Sequence, residues 1–104
     1  MISTEKATQA AILNYLVLKR VFHWRNNTGA FKSEHGSFIR YGSPGSPDIF
    51  AVLPPSGQLL GIEVKDTRGR LNENQEGFRD RLERAGGRYI VARSLDDVIC
   101  ALAA

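Results

Sequence analysis

Two carboxylates and an ammonium group, Asp48, Glu63 and Lys65, are residue types that phosphate-ester hydrolysis could use. Asp48 falls within Gly45-Ser46-Pro47-Asp48-Ile49, fourteen residues intervene, and Glu63-Val64-Lys65 follows, with Gln75 further along. Cutting a phosphodiester requires charge neutralisation on the phosphate, an activated water and help for the leaving oxygen. A hard cation such as Mg²⁺ supplies much of this and prefers a few oxygen ligands with several retained waters. Asp48 and Glu63, brought together on adjacent strands, could provide such oxygens. Lys65 could orient the water, stabilise charge on the phosphate, or act as a base if burial lowered its pKa; residue types alone do not choose among these roles. The plainer reading is an ion pair between Glu63 and Lys65 on a solvated sheet surface, since motifs this short recur by chance.

The elements that must position these residues are legible in outline. Thr4 to about Arg20 reads as a helix that Ser3 or Thr4 can cap. Apolar residues cover more than one stripe of its second half, so that half is expected to be buried on several sides or to contact a partner. Val21 to Arg25 suits a strand, broken by Asn26-Asn27-Thr28-Gly29. Ala30 to Ser37 has no clear period and reads as loop. Phe38 to Tyr41 is a strand ended by Gly42-Ser43-Pro44-Gly45-Ser46-Pro47, a stiff turn that fixes where the Asp48 carboxylate points. Asp48–Leu53 and Gln58–Asp66 are the two best strands, joined through Pro54-Pro55-Ser56-Gly57 as a hairpin. Alternation in the second puts Leu60, Ile62 and Val64 on one face and Gly61, Glu63 and Lys65 on the other. That polar face needs covering, because the flanking strands are apolar.

Asn72 to Ala85 is predicted as a helix with Phe78, Leu82 and Ala85 on one side. Asn72 and Gln75 resemble a capping box, and Gly86-Gly87 stops the helix. A strand at Arg88–Ala92 and a last helix capped by Ser94, with Leu95, Val98, Ile99 and Leu102 inward, complete the order α-β-β-β-β-α-β-α. This is one α/β (α+β) domain over residues 1–104, a mixed central sheet flanked by helices.

Composition narrows the class. The 104 residues are 42% hydrophobic and 24% charged, as in ordinary globular domains. A chain this small supports one compact core, and oligomerisation is a natural way to bury more. The formal charge of +3 is compatible with nucleic acid without requiring it. Arg68, Arg70, Arg79, Arg81, Arg84, Arg88 and Arg93 offer guanidinium forks matched to phosphate, yet interleaved acids allow a solvated helix face instead. The lone Cys100 excludes an intramolecular disulfide and a multi-cysteine zinc site, and its apolar setting suggests a small buried hydrophobe. His23 and His35, twelve residues apart, lack zinc-type spacing. No apolar run is long enough to cross a bilayer and no signal segment is visible, so a reducing, cytoplasmic compartment is expected.

Taken in order, these residues resemble the PD-(D/E)xK nuclease superfamily: Pro47-Asp48, then Glu63-Val64-Lys65. Within it they look most like the VRR-NUC group, the virus-type replication-repair nucleases. The closer likeness rests on Asn27-Thr28-Gly29, Gly45-Ser46-Pro47-Asp48-Ile49, Glu63-Val64-Lys65 followed by Arg68-Gly69-Arg70-Leu71, Gln75, and Arg84-Ala85-Gly86-Gly87. It spans nearly the whole chain. The resemblance implies a restriction-endonuclease-like core, with Asp48, Glu63 and the Val64 carbonyl binding Mg²⁺ or Mn²⁺ and Lys65 as the catalytic lysine. Gln75 would reach back from its helix to the active centre, in rivalry with its role as a cap. Glu5 occupies the place of an acidic residue on the first helix of related nucleases; read alone, it is a favourable charge at a helix N-terminus. Arg68 and Arg70 are candidate DNA contacts.

Stand-alone chains of this kind resemble phage-encoded proteins, which would act in the cytoplasm of a bacterial host, and the family implies branched DNA as substrate. Balanced cutting of a four-way (Holliday) junction is simplest with two centres related by a twofold axis, hence a homodimer. A catalytically silent module that binds structured DNA is the competing class, against which the complete Asp-Glu-Lys set argues. A hydrolase of a small phosphate ester is a third class, for which no glycine-rich phosphate cradle is present.

Overall fold

The computed structural model describes residues 4–27 and 29–103; Ser3 as a cap and Thr28 of the Asn27-Thr28-Gly29 motif lie outside them. The order is α1 (Glu5–Leu18), β1 (Phe22–Arg25), β2 (Gly29–Lys32), β3 (Phe38–Tyr41), β4 (Ile49–Leu53), β5 (Gln58–Val64), α2 (Glu73–Arg84), β6 (Arg88–Ala92) and α3 (Leu95–Ala103). Thr4 caps α1, its side chain accepting from the Ala7 N–H at 3.1 Å. One strand is added to the expected order. Gly29–Lys32, read as a break and loop, pairs antiparallel with β3, Phe31 opposite Ile39. All four β2 residues are exposed, so no buried face marked them; pairing with β3 defines this ribbon.

The main sheet runs β1-β4-β5-β6. β1 with β4 and β4 with β5 are antiparallel, while β5 and β6 are parallel. A parallel neighbour needs a crossover, and α2 is that crossover. Alternation decides the two faces. Ile49, Ala51, Leu53, Leu60, Ile62, Val64 and Ala92 pack with Ile12 and Leu16 of α1 and Val98 of α3 in one core. Each fully buried Ile or Leu here contributes roughly 1.5–3 kcal/mol over exposure. On the opposite face α2 lies over Gly61: a Cβ built there would stand 3.3 Å from the Leu82 side chain. Phe50 and Phe78 rings meet at 6.0 Å on this side. The aromatic row continues outward through Trp24 and Phe22 to the sheet edge.

Several burial expectations change. In α1, Thr8, Ile12 and Leu16 face the core with Leu13 and Tyr15 packed beside them, whereas Val17 and Leu18 are 61% and 71% exposed; within the chain the sheet and α3 cover one side of that half and leave the other open. In α2, Phe78 and Leu82 are half-buried and Ala85 is exposed, since Ala85 has already become the C-cap. In α3, Val98 and Ala101 are buried, with Leu95 and Leu102 packed beside them. Cys100 is exposed, not a buried hydrophobe: the helical turn carries it away from the Val98–Ala101 stripe. Ahead of α3, the Ser94 carbonyl accepts from Asp97 N–H at 3.2 Å, and the Asp97 carboxylate accepts from Arg93 N–H at 2.8 Å.

The turn before β4 is wedged against the start of α2. Gly45 has φ +81°, and a Cβ there would fall 2.1 Å from the Asn74 carbonyl oxygen. Gly57, also at φ +81°, has no atom within 4 Å of such a Cβ. Gly57→Ala should therefore cost only the left-handed backbone term of about 1–2 kcal/mol. Gly45→Ala should cost clearly more, about 3 kcal/mol or above, by forcing backbone apart as well. Urea denaturation of both variants reads the difference, and equal losses would contradict the wedge.

Candidate active site

The β4–β5 register creates the site. Ile49 pairs with Ile62, so the next step outward sets Asp48 against Glu63, both on the α2 face. Asp48 Oδ2 accepts from the Val64 N–H at 2.7 Å, and its own carbonyl accepts from Asn26 N–H at 2.8 Å. The turn that delivers Asp48 is held by Asn26, whose side-chain amide donates to Ser46 Oγ (2.7 Å) and the Pro47 carbonyl (3.0 Å). Asn26 read from sequence only as part of a strand break.

Glu63 is 5% exposed. Lys65, two residues on and therefore on the same face, brings Nζ to 3.7 Å from Glu63 Oε2. Gln75 donates from Nε2 to the same oxygen at 3.2 Å. Its Oε1 meanwhile accepts from Asn72 N–H at 3.0 Å, and Asn72 Oδ1 accepts from Gln75 N–H at 2.9 Å. The two roles that stood as rivals for Gln75 coexist, because the two ends of one amide serve different partners. Helix capping is what aims the amide at Glu63.

The Glu63 carboxyl is pushed up from its ordinary 4.5 to about 7. Burial is the largest cause; the Asp48 charge adds to it and Lys65 opposes it, with smaller upward contributions from a shared hydrogen bond with Asp48 and from the charge of Glu5. Two acids are thus crowded together with one ammonium group to balance them. Glu5 completes the rim of the cluster, its Oε1 accepting from Asp66 N–H at 3.2 Å.

The loop after Lys65 is organised by residues outside the sequence motif. Asp66 Oδ1 accepts from Arg68 and Gly69 N–H groups at 2.9 and 2.6 Å, which lowers the Asp66 pKa more than the nearby arginine charges do. Arg93 Nη1 donates to the carbonyls of Asp66 (2.5 Å) and Gly69 (2.8 Å). Arg68 and Arg70 are exposed on this loop, beside the carboxylate cluster and not within it. Arg88 ties β6 to α3 through the Ala101 carbonyl at 3.0 Å. At least two of the seven arginines considered as phosphate forks therefore have structural partners. Tyr89 is a further residue on the site face that sequence reading missed: β6 register places it beside Gly61, a relation visible only once β5 and β6 are paired. His23 sits apart, with Nδ1 2.7 Å from the Val21 carbonyl.

The four-stranded mixed sheet thus sets an acid pair and a lysine under a crossover helix. The family model of the VRR-NUC domain matches residues 3–96, and the chain belongs to the VRR-NUC family, whose substrate class is DNA. A solved structure of a VRR-NUC domain superposes with a TM-score of 0.64 at 20% identity, covering 92% of this chain and 91% of that one; at that identity it is the fold that is shared. No curated protein matches the sequence. Among the described residues no helix is long and apolar enough to cross a membrane.

The pKa of Glu63 carries a stability consequence. Folding raises it, so the folded state holds this proton more tightly than the unfolded chain. The associated stability is complete below pH 4.5 and is lost as pH rises through about 7, on the order of 3 kcal/mol in all. In chelator, unfolding free energy should fall from pH 5 to 8 in the wild type, and Glu63→Gln should flatten that slope. Parallel slopes in urea titrations of the two proteins would refute the assignment.

Proposed function

We propose that this domain is a Mg²⁺- or Mn²⁺-dependent DNA endonuclease acting on branched DNA such as four-way junctions. The observation that carries the reading is the convergence of Asp48, Glu63 and Lys65 on one buried face. The donor set fits a hard cation. Among the described residues no three His, Cys, Asp or Glu side chains gather into a ready metal cluster; two carboxylates, the Val64 carbonyl and solvent are instead the sparse oxygen set that Mg²⁺ prefers. The raised pKa of Glu63 points the same way, since a positive ion would relieve the crowding of the acids.

When bound, the cation would neutralise charge on a phosphate oxygen and lower the pKa of a coordinated water. Asp48 and Glu63 are the residues that would hold it. Gln75 fixes one oxygen of Glu63, which limits rotation of that carboxylate. Lys65, half-buried next to Glu63, can orient the attacking water and offset charge on the phosphate. Glu5 adds negative potential at the rim, and the exposed Arg68 and Arg70 sit where DNA phosphates would pass. A catalytically silent module would need no such costly acid pair, and a small-ester hydrolase would need an enclosing phosphate cradle.

Purified protein with labelled duplex, flap and four-way DNA should cut the junction in Mg²⁺ and leave every substrate whole in chelator. Asp48→Asn and Lys65→Ala should lower cleavage by roughly 10²–10⁴-fold with junction binding retained. Binding without cutting in the wild type would favour the silent module, and inertness toward all DNA the small-ester reading.

Exposed apolar side chains support a homodimer in which two such centres act together. Val17 and Leu18 end α1, Phe22 lies 70% exposed on edge strand β1, and Phe38 is 76% exposed on β3; an open edge beside apolar surface is a natural pairing site. Sedimentation at micromolar concentration should give twice the chain mass, and a monomer throughout the range of active concentrations would remove the dimer from the proposal.

A further inference from the structure

One buried polar group of the site face has no part in the reading above. Tyr89 is 7% exposed, and among the described residues its hydroxyl has no hydrogen-bond partner. A buried hydroxyl left without a partner is destabilising, so its retention calls for a reason. Its position supplies one. In the parallel β5–β6 ladder Tyr89 pairs with Gly61 and Val91 with Glu63, which puts Tyr89 on the face of Glu63, two residues before the register partner of that acid. Gly61 makes room for Pro47 and adjoins the ring: a Cβ there would stand 2.8 Å from the Pro47 side chain and 3.4 Å from Tyr89 Cδ2. The ring therefore shares the space over Gly61 with Pro47 and with Leu82 of α2. The hydroxyl senses both acids, because burial first and then the charges of Glu63 and Asp48 hold its pKa above the ordinary range, with Arg79 opposing. It is a permanent donor near two acceptors.

Of the two, Glu63 lies on the strand paired directly with β6, and its charge acts on the hydroxyl more strongly than that of Asp48. Asp48 already accepts from a backbone N–H at 2.7 Å, whereas Gln75 and Lys65 both approach Oε2 of Glu63. Since no direct hydrogen bond joins Tyr89 to either acid, a single water is the bridge that would satisfy the hydroxyl. We propose that Tyr89 is a positioning residue, which orients the Glu63 carboxylate for a divalent cation by donating a hydrogen bond to it through a bridging water. This rests on the cation site of the proposed function. Residues that orient a ligating carboxylate govern affinity because they fix where its oxygens point.

The test is Mn²⁺ binding to the DNA-free protein by calorimetry, with wild type, Tyr89→Phe and Glu63→Gln. The phenylalanine variant keeps the ring and deletes the unpartnered donor, so its metal-free melting temperature should be unchanged or higher while Mn²⁺ binds roughly tenfold more weakly. In cleavage it should need more Mg²⁺ yet regain the wild-type rate at saturation, a split that a merely structural tyrosine would not give. Wild-type Mn²⁺ affinity in Tyr89→Phe, alongside weakened binding in Glu63→Gln, overturns the role of the hydroxyl and leaves the cation site standing. No difference between wild type and Glu63→Gln overturns the cation site itself, and the inference with it.

Discussion

The arrangement on which the rest depends is the placing of two like-charged acids opposite each other across one pair of antiparallel strands. Such a pair is unfavourable in isolation: burial strips Glu63 of hydration, and the Asp48 charge opposes its ionisation. The surrounding structure is built to hold it. The Val64 N–H binds Asp48, the Gln75 amide binds Glu63, and Lys65 supplies the nearby positive charge. Glu63 nevertheless remains far above its ordinary pKa, so the protein alone compensates the pair incompletely. A proton on Glu63 completes the compensation, and in the proposed function a cation would take its place.

Local and distant constraints share the work of aiming the acids. The turn before Asp48 is clamped from two directions, by Asn26 from β1 and by the close backbone approach at Gly45 from α2. Helix α2 does three things with one segment: it is the crossover that permits a parallel β6, it covers the polar sheet face, and its capping residue binds Glu63. The loop beyond Lys65 is fixed in turn by Asp66 within it and by Arg93 and Glu5 from elements distant in sequence. The carboxylate cluster is a property of strand register supported by a capped helix.

The sequence by itself determined the elements and the inventory of chemical groups. Alternation in Gln58–Val64 separated the core residues Leu60, Ile62 and Val64 from Glu63 and Lys65, and Asn72 with Gln75 marked the start of α2, because these patterns are written in neighbouring residues. Proline and glycine before Asp48 likewise announced a turn. Periodicity could not find β2, whose residues are all exposed, and an apolar setting misled on Cys100 and the end of α1, because residues on a helix are buried only where another element reaches them.

What only the tertiary structure decided is how groups far apart in the chain meet. The register of β4 on β5 set Asp48 against Glu63. The pairing of β5 with β6 brought Tyr89 onto the same face, and the docking of α2 let one amide cap a helix and bind an acid at once. Asn26 and Arg93 gained their roles in the same way. Local sequence encodes the conformation of each segment, whereas burial, pKa shifts and side-chain partnership depend on distances that exist only after the segments pack.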